Sequence, residues 1–195
     1  MKKILVLIFA TAMAFTAGAQ VQFGVKAGYN HANFMYSGSG INDLGPRSDF
    51  NAGAFASIPL FNSFFLQPEL LYSGQGNGYT DSIPETTCNN YLNIPVLFKY
   101  QHSSGLFLET GPQVGFLLSA QLKTATQSFD SKNNTETTDF SWAFGLGYKI
   151  PVVNLGIDVR YNMGLTNIVK TNYYTGSAKN SVFQIDLFYQ FRMLL

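Results

Sequence analysis

Hydrophobic side chains recur at every second position from Val21 onward, first in Val21-Gln22-Phe23-Gly24-Val25-Lys26-Ala27-Gly28-Tyr29. One phase of this stretch reads Val, Phe, Val, Ala, Tyr, and the other reads Gln, Gly, Lys, Gly. A strand points alternate side chains to opposite faces, so the pattern predicts a strand with one apolar face and one polar or bare face. The same alternation returns at 50–58, 64–72, 92–100, 106–116, 140–148, 155–163 and 183–191. Eight strands are therefore predicted, each of the length a tilted strand needs to cross a bilayer.

The segments between them alternate in length. Residues 31–48, 74–89, 120–138 and 166–180 are long and rich in Ser, Thr, Asn and Gly, whereas 60–63, 101–105 and 150–154 are tight turns. Long external loops and short periplasmic turns characterise outer-membrane barrels. The expected fold is all-β, an eight-stranded antiparallel up-and-down transmembrane β-barrel, with both termini on the periplasmic side and Cys88 in an outer loop.

Alternation also occurs in soluble sheets, so the content of the two phases has to decide. The apolar phase carries no charge in any predicted strand. The opposite phase is rich in glycine, at 24, 28, 53, 111, 115, 145, 147, 156 and 164. Small residues suit the crowded lumen of a barrel this narrow, which side chains fill. Lys26, Lys99, Lys149 and Arg160 share that inner phase with Glu69, Glu109, Asp158 and Asp186. The signs balance, and charges away from bulk water need partners, so a luminal network of salt bridges and hydrogen bonds is expected. A proton or ion path is the functional alternative. Aromatic residues near the strand ends fit two interfacial girdles, with Phe23, Phe64, Tyr100, Tyr148 and Tyr189 at the inner rim. Tyr29, Phe50, Tyr72, Phe116 and Trp142 would form the outer one.

Composition agrees with a chain partly solvated by lipid: 12% charged residues, 15% aromatic, and a formal net charge of +1. That charge excludes nucleic-acid binding driven by bulk electrostatics. Residues 1–19 have the parts of a signal peptide, namely Lys2 and Lys3, an apolar run from Ile4 to Phe15, and Ala17-Gly18-Ala19 at the cleavage site. The barrel domain is then 20–195. Cys88 is the only cysteine, so no internal disulfide is expected.

Several stretches resemble the PorT-like outer-membrane β-barrel family of Bacteroidota. They are Gln67-Pro68-Glu69-Leu70-Leu71-Tyr72, Tyr91-Leu92-Asn93-Ile94-Pro95-Val96-Leu97-Phe98-Lys99-Tyr100, Glu109-Thr110-Gly111-Pro112 and Gly145-Leu146-Gly147-Tyr148. The most diagnostic is Arg160-Tyr161-Asn162-Met163-Gly164-Leu165-Thr166-Asn167-Ile168. The resemblance implies an eight-stranded barrel in a Gram-negative outer membrane, without catalytic residues, and a link to protein secretion through the family's namesake. The last strand, Phe183 to Phe191, looks like the aromatic-ending signal read by the barrel assembly machinery, although Arg192-Met193-Leu194-Leu195 follows it.

Candidate chemistry is sparse. His31 is expected at the base of the first outer loop and His102 in a periplasmic turn, too far apart to share a metal. His31 with Ser37 or Ser39 is the one set that could serve a lipid A-modifying enzyme. Asp130, Asn134 and Glu136 hint at calcium, but Lys132 falls where an oxygen ligand should be. Asp81-Ser82-Ile83 resembles an O-glycosylation acceptor. Pro68, Pro95 and Pro112 fall within three consecutive strands, where bulges or a weakened lateral seam would accommodate them.

The function expected is that of a monomeric, non-enzymatic outer-membrane barrel without cofactor or metal, structural in the envelope or docking a partner through its outer loops. Its partners would be outer-membrane lipid, the assembly machinery during insertion, and an envelope or secretion protein, with no nucleic acid. A lipid A-modifying enzyme and a small-solute porin are the alternatives.

Overall fold

The computed structural model describes residues 21–37, 45–78, 85–170 and 176–191. The proposed signal peptide, Ser39, the Asp81-Ser82-Ile83 triplet and the four residues after Phe191 lie outside them. Nine strands follow in order: β1 (Gln22–Ser37), β2 (Gly45–Phe61), β3 (Phe64–Gly78), β4 (Thr86–Gln101), β5 (Leu106–Lys123), β6 (Ser128–Asp130), β7 (Thr138–Lys149), β8 (Leu155–Gly164) and β9 (Ser177–Gln190). Eight of them form the barrel, in the order β4-β3-β2-β1-β9-β8-β7-β5, and β4 pairs with β5 to close it. Every ladder is antiparallel. β6 is a short addition that pairs with the outer end of β5. Closure leaves no open edge along the barrel wall, as hydrocarbon requires.

The register fixes the tilt. From Phe23 it runs to Ala56, then through Pro68, Val96, Pro112, Trp142, Met163 and Ser181 to Asn33, ten residues further along β1. A stagger of this kind forces the strands to lean against the barrel axis, and an eight-stranded barrel built so has an interior that side chains can fill.

The predicted strands are all present, but the outer loops are shorter than expected. Residues 31–37, 45–48, 74–78, 86–89, 120–123 and 177–180 are strand, and the β1–β9 ladder continues to Ser37 opposite Ser177. Beyond the bilayer both faces of a strand meet water, so hydropathy stops alternating while backbone pairing continues. Cys88 is a consequence: it lies within β4, buried, rather than in a loop.

The prolines are accommodated without bulges. Pro68↔Val96 and Leu71↔Asn93 keep one register while the two pairs between them are unbridged; the same holds between Pro95↔Gln113 and Phe98↔Thr110. A matching gap separates Phe55↔Glu69 from Ile58↔Leu66. Proline has no N–H to give a ladder, so each one removes a rung and leaves the frame intact. The register shifts lie elsewhere, at Pro46/Asn51, Pro59/Phe61 and Asn90/Tyr91.

Large apolar side chains face outward along the whole wall, Leu108 at 61% exposure and Leu187 at 67% among them. The buried set is dominated by Asn, Gln, Ser and charged residues. This is inside-out relative to a water-soluble protein. The outward aromatics cluster: Phe64 packs on Phe98 and Tyr100 toward the end with the short turns, and Phe50 stacks on Tyr72 with centroids 5.1 Å apart toward the opposite end.

Candidate functional site

The lumen holds the polar chemistry of the chain, arranged in layers. Toward the end that carries the short turns, Phe55, Phe107 and Phe188 turn inward from β2, β5 and β9. Phe188 meets each of the other two edge-on, with ring centroids 5.9 Å apart. Three glycines make the room, each the register partner of one phenylalanine on the neighbouring strand. A Cβ at Gly24 would collide with Phe55, one at Gly147 with Phe107, and one at Gly156 with Phe188. The Lys99 ammonium caps this apolar layer, 3.6 Å from the centroid of the Phe107 ring and 5.3 Å from that of Phe188. It also donates to Gln67 Oε1 at 3.2 Å.

A layer of ion pairs lies directly outside. Lys26 Nζ lies 2.9 Å from Asp158 Oδ2, 2.9 Å from Asp186 Oδ2 and 3.8 Å from Glu69 Oε1. Arg160, with no exposed surface, grips Glu69 through two nitrogens at 2.8 and 3.0 Å and reaches Glu109 Oε1 through Nη2 and Nε. A planar guanidinium supplies this forked geometry, which a lysine at the same place could not. Neutral amides complete the coordination: Gln67 donates to Glu69 at 2.7 Å, Asn51 to Asp186 at 2.8 Å, and Gln184 to Asp186 at 2.6 Å. Gly28 and Gly145 again provide space, the first beneath Asp186 and the second beneath Glu109.

Six of the eight charged residues singled out on the inner phase thus meet in one ion-pair network: Lys26, Glu69, Glu109, Asp158, Arg160 and Asp186. Lys99 stands beside it, on the phenylalanines. Lys149 does not join. It sits at the mouth on the short-turn side and donates to Gln190 at 2.9 Å.

Further out, the lining is neutral and rich in carboxamides, including Asn30, Asn51, Asn93, Gln113, Asn162 and Gln184, all buried. Beyond these come Gln75, Asn89, Tyr91, Asp139 and Asn180. The outer mouth is then covered from the side. After β8 the chain folds inward, Ile168 becomes 1% exposed, and it packs on Phe34 and Ala178. Thr166 donates to Asp139 Oδ1 at 2.9 Å, and Asn167 Oδ1 accepts from the backbone N–H of Val169 and Ala178. The stretch Arg160 to Ile168 therefore runs from the ion-pair layer to the covering loop, and most of its polar residues have a job along that path.

The other candidates are dispersed. His31 lies within β1, not at a loop base, facing outward between Ser48 and Phe183. Ser37 is six residues further along the same strand, about 20 Å away at ~3.3 Å per residue, so no hydrogen bond joins them. His102 is in the β4–β5 turn, its Nδ1 2.9 Å from Ser104 Oγ. Asp130 Oδ1 accepts the Lys132 N–H at 2.8 Å, and among the described residues no group of three or more His, Cys, Asp or Glu is placed to hold a metal ion. Periodicity did not pick out Phe55, Phe107, Phe188 or Tyr91 as luminal. The available signal was phase: each falls on the side of its strand opposite the regular apolar one, shared with glycines on β2 and β5 and with polar residues such as Asn93 and Asp186 on β4 and β9.

Comparison with known proteins agrees with this architecture. No curated protein sequence matches the chain. Among solved structures it is similar to Neisserial surface protein A, with a TM-score of 0.59, 15% identity, 87% of this chain covered and 97% of that one. It is also similar to Ail, the attachment invasion locus protein of Yersinia pestis, with a TM-score of 0.50, 16% identity, and 87% and 98% covered. At such identities the likeness speaks for the fold alone. A family model described as an outer membrane protein beta-barrel domain matches residues 13–170. With an outward apolar wall, a closed eight-stranded ladder and that match over most of its length, the chain belongs to the outer membrane protein β-barrel domain family.

Proposed function

We propose that the protein is a non-enzymatic barrel of a Gram-negative outer membrane, structural in the envelope or docking a partner through its outer loops, in the manner of the PorT-like proteins it resembles. The observation that carries this reading is the filled lumen. The ion pairs of Lys26 and Arg160 span the interior, and the phenylalanine layer lies behind them. Continuous passage of solutes would require breaking both, which weighs against a porin. The separation of His31 from Ser37 weighs against a lipid A-modifying enzyme built on that pair.

Two measurements test the reading. Purified protein in planar bilayers should give no steady conductance; stable ohmic channels would overturn the closed lumen. Crosslinking in intact envelopes, followed by capture of the barrel, should return a defined envelope or secretion component beyond the assembly machinery. If only the assembly machinery is recovered, the docking role fails.

A further inference from the structure

The outer half of the lumen is built with more acceptors than donors. Asn51, Asn77, Gln75, Gln113, Asn162 and Asn180 each spend the side-chain nitrogen on a protein acceptor, respectively Asn30 and Asp186, Tyr36, Ser73, Ser141, Gln184 and Asp139. The carboxamide oxygen of every one is buried without a hydrogen-bond partner, and so are Asn89 Oδ1 and the Tyr91 hydroxyl. Buried acceptors left open are costly, and here they gather in the part of the lumen outside the ion-pair layer.

Its charge is lopsided as well. Asp139 is buried, yet its carboxylate receives only neutral donors, Thr166 Oγ1 at 2.9 Å and Asn180 Nδ2 at 2.8 Å. Among the described residues, the luminal carboxylates Glu69, Glu109, Asp139, Asp158 and Asp186 outnumber the luminal cations Lys26, Lys99, Lys149 and Arg160 by one. Arg47 and Asp49 neutralise each other. Among the described residues, the luminal carboxyl group without a cationic partner is Asp139, the one furthest from the ion-pair layer. Around it, Asn180 is bonded to the carboxylate itself, the Tyr91 ring and the Asp139 backbone oxygen both border Gly115, the Tyr91 hydroxyl neighbours the carboxamides of Asn89 and Asn180, and Gln75 is the register partner of Asn89 on β3.

We propose that this compartment is a binding site for a monovalent cation, with Asp139 as counter-charge and the oxygens of Gln75, Asn89, Tyr91 and Asn180 as its surroundings. One carboxylate among neutral oxygens suits an ion of single charge; calcium sites gather several carboxylates, and magnesium demands a stricter octahedron. The covering loop fits the role. Thr166 ties it to Asp139 itself, so occupancy of the site and closure of the outer mouth are coupled through one side chain.

The test uses the folded chain in detergent, melted at equal ionic strength in potassium, sodium or N-methyl-D-glucamine chloride. The midpoint should rise with potassium or sodium and saturate, as binding to the native state alone dictates, and should not rise with the bulky organic cation. Asp139→Asn should abolish the ion-specific rise and Tyr91→Phe should weaken it, while both retain the heat-modifiable migration of a folded barrel. Crystals soaked in thallium should show anomalous scattering beside Asp139. Superimposable melts in all three salts, a rise that persists in Asp139→Asn, or a rise given only by calcium would each overturn the proposal. Should Asp139→Asn fail to fold, Tyr91→Phe and the thallium position decide the matter.

Discussion

Arg160 satisfies two carboxylates from a position with no water contact, so the cost of losing it is set by what it leaves behind. Arg160→Met strands Glu109 as a buried charge without its ion-pair partner and leaves Glu69 only the longer contact to Lys26 and the hydrogen bond from Gln67. Breaking such a pair from one side typically costs about 3–5 kcal/mol. We expect the urea midpoint of Arg160→Met to fall accordingly, and Arg160→Met combined with Glu69→Gln and Glu109→Gln to recover part of the loss; equal destabilisation of the single and triple variants would refute this account. Glycine acts at the same scale but through volume. A Cβ at Gly156 would press on the Phe188 ring and on the backbone oxygen of Tyr148. Gly156→Ala should therefore yield little folded barrel, whereas Gly156→Ala with Phe188→Ala regains heat-modifiable migration in part, the Tyr148 backbone contact remaining.

At the scale of elements, period-2 hydropathy made the membrane-crossing part of each strand legible, because lipid on one side and a packed lumen on the other keep the two phases distinct. It did not show the outer extensions, where neither face meets lipid. It placed the inner-phase charges on their strands but could not say which would meet, because the partners of Lys26 and Arg160 lie on strands brought near only by closure and stagger. The prolines act here too. Their rungs are missing across β2–β5 without any change in register at those positions. Amide hydrogen exchange should be faster at Glu69 and Val96, which face Pro95 and Pro112 across the two gaps, than at Phe144 and Ala143 in the continuous β7 ladder. Uniform protection along β4, β5 and β7 would show that the gaps do not loosen the wall.

The whole molecule is defined by its outward apolar surface. An arginine in the middle of the lipid-facing wall should cost about 2–4 kcal/mol, falling toward the interfaces. Ile185→Arg is the test, with refolding into lipid vesicles as the readout; a variant as stable as the parent would mean that Ile185 does not meet hydrocarbon. Orientation has its own check in a background carrying Cys88→Ser. Thr126→Cys, in the β5–β6 turn, should react with a membrane-impermeant maleimide on intact cells. Val152→Cys, 83% exposed in the β7–β8 turn, should react only after the outer membrane is permeabilised. The reverse pattern would invert the topology.

Sequence alone determined the number of barrel strands, the phase of each and hence which residues face lipid, since those follow from a two-residue period and the chemistry of the two solvents. Only the closed barrel decided the rest: the phenylalanine layer above its three glycines, the pairing of Arg160 with Glu69 and Glu109, and the loop that carries Ile168 over the mouth. Those contacts join residues far apart in the chain, and their geometry comes from the stagger of the ladder, which no local pattern encodes.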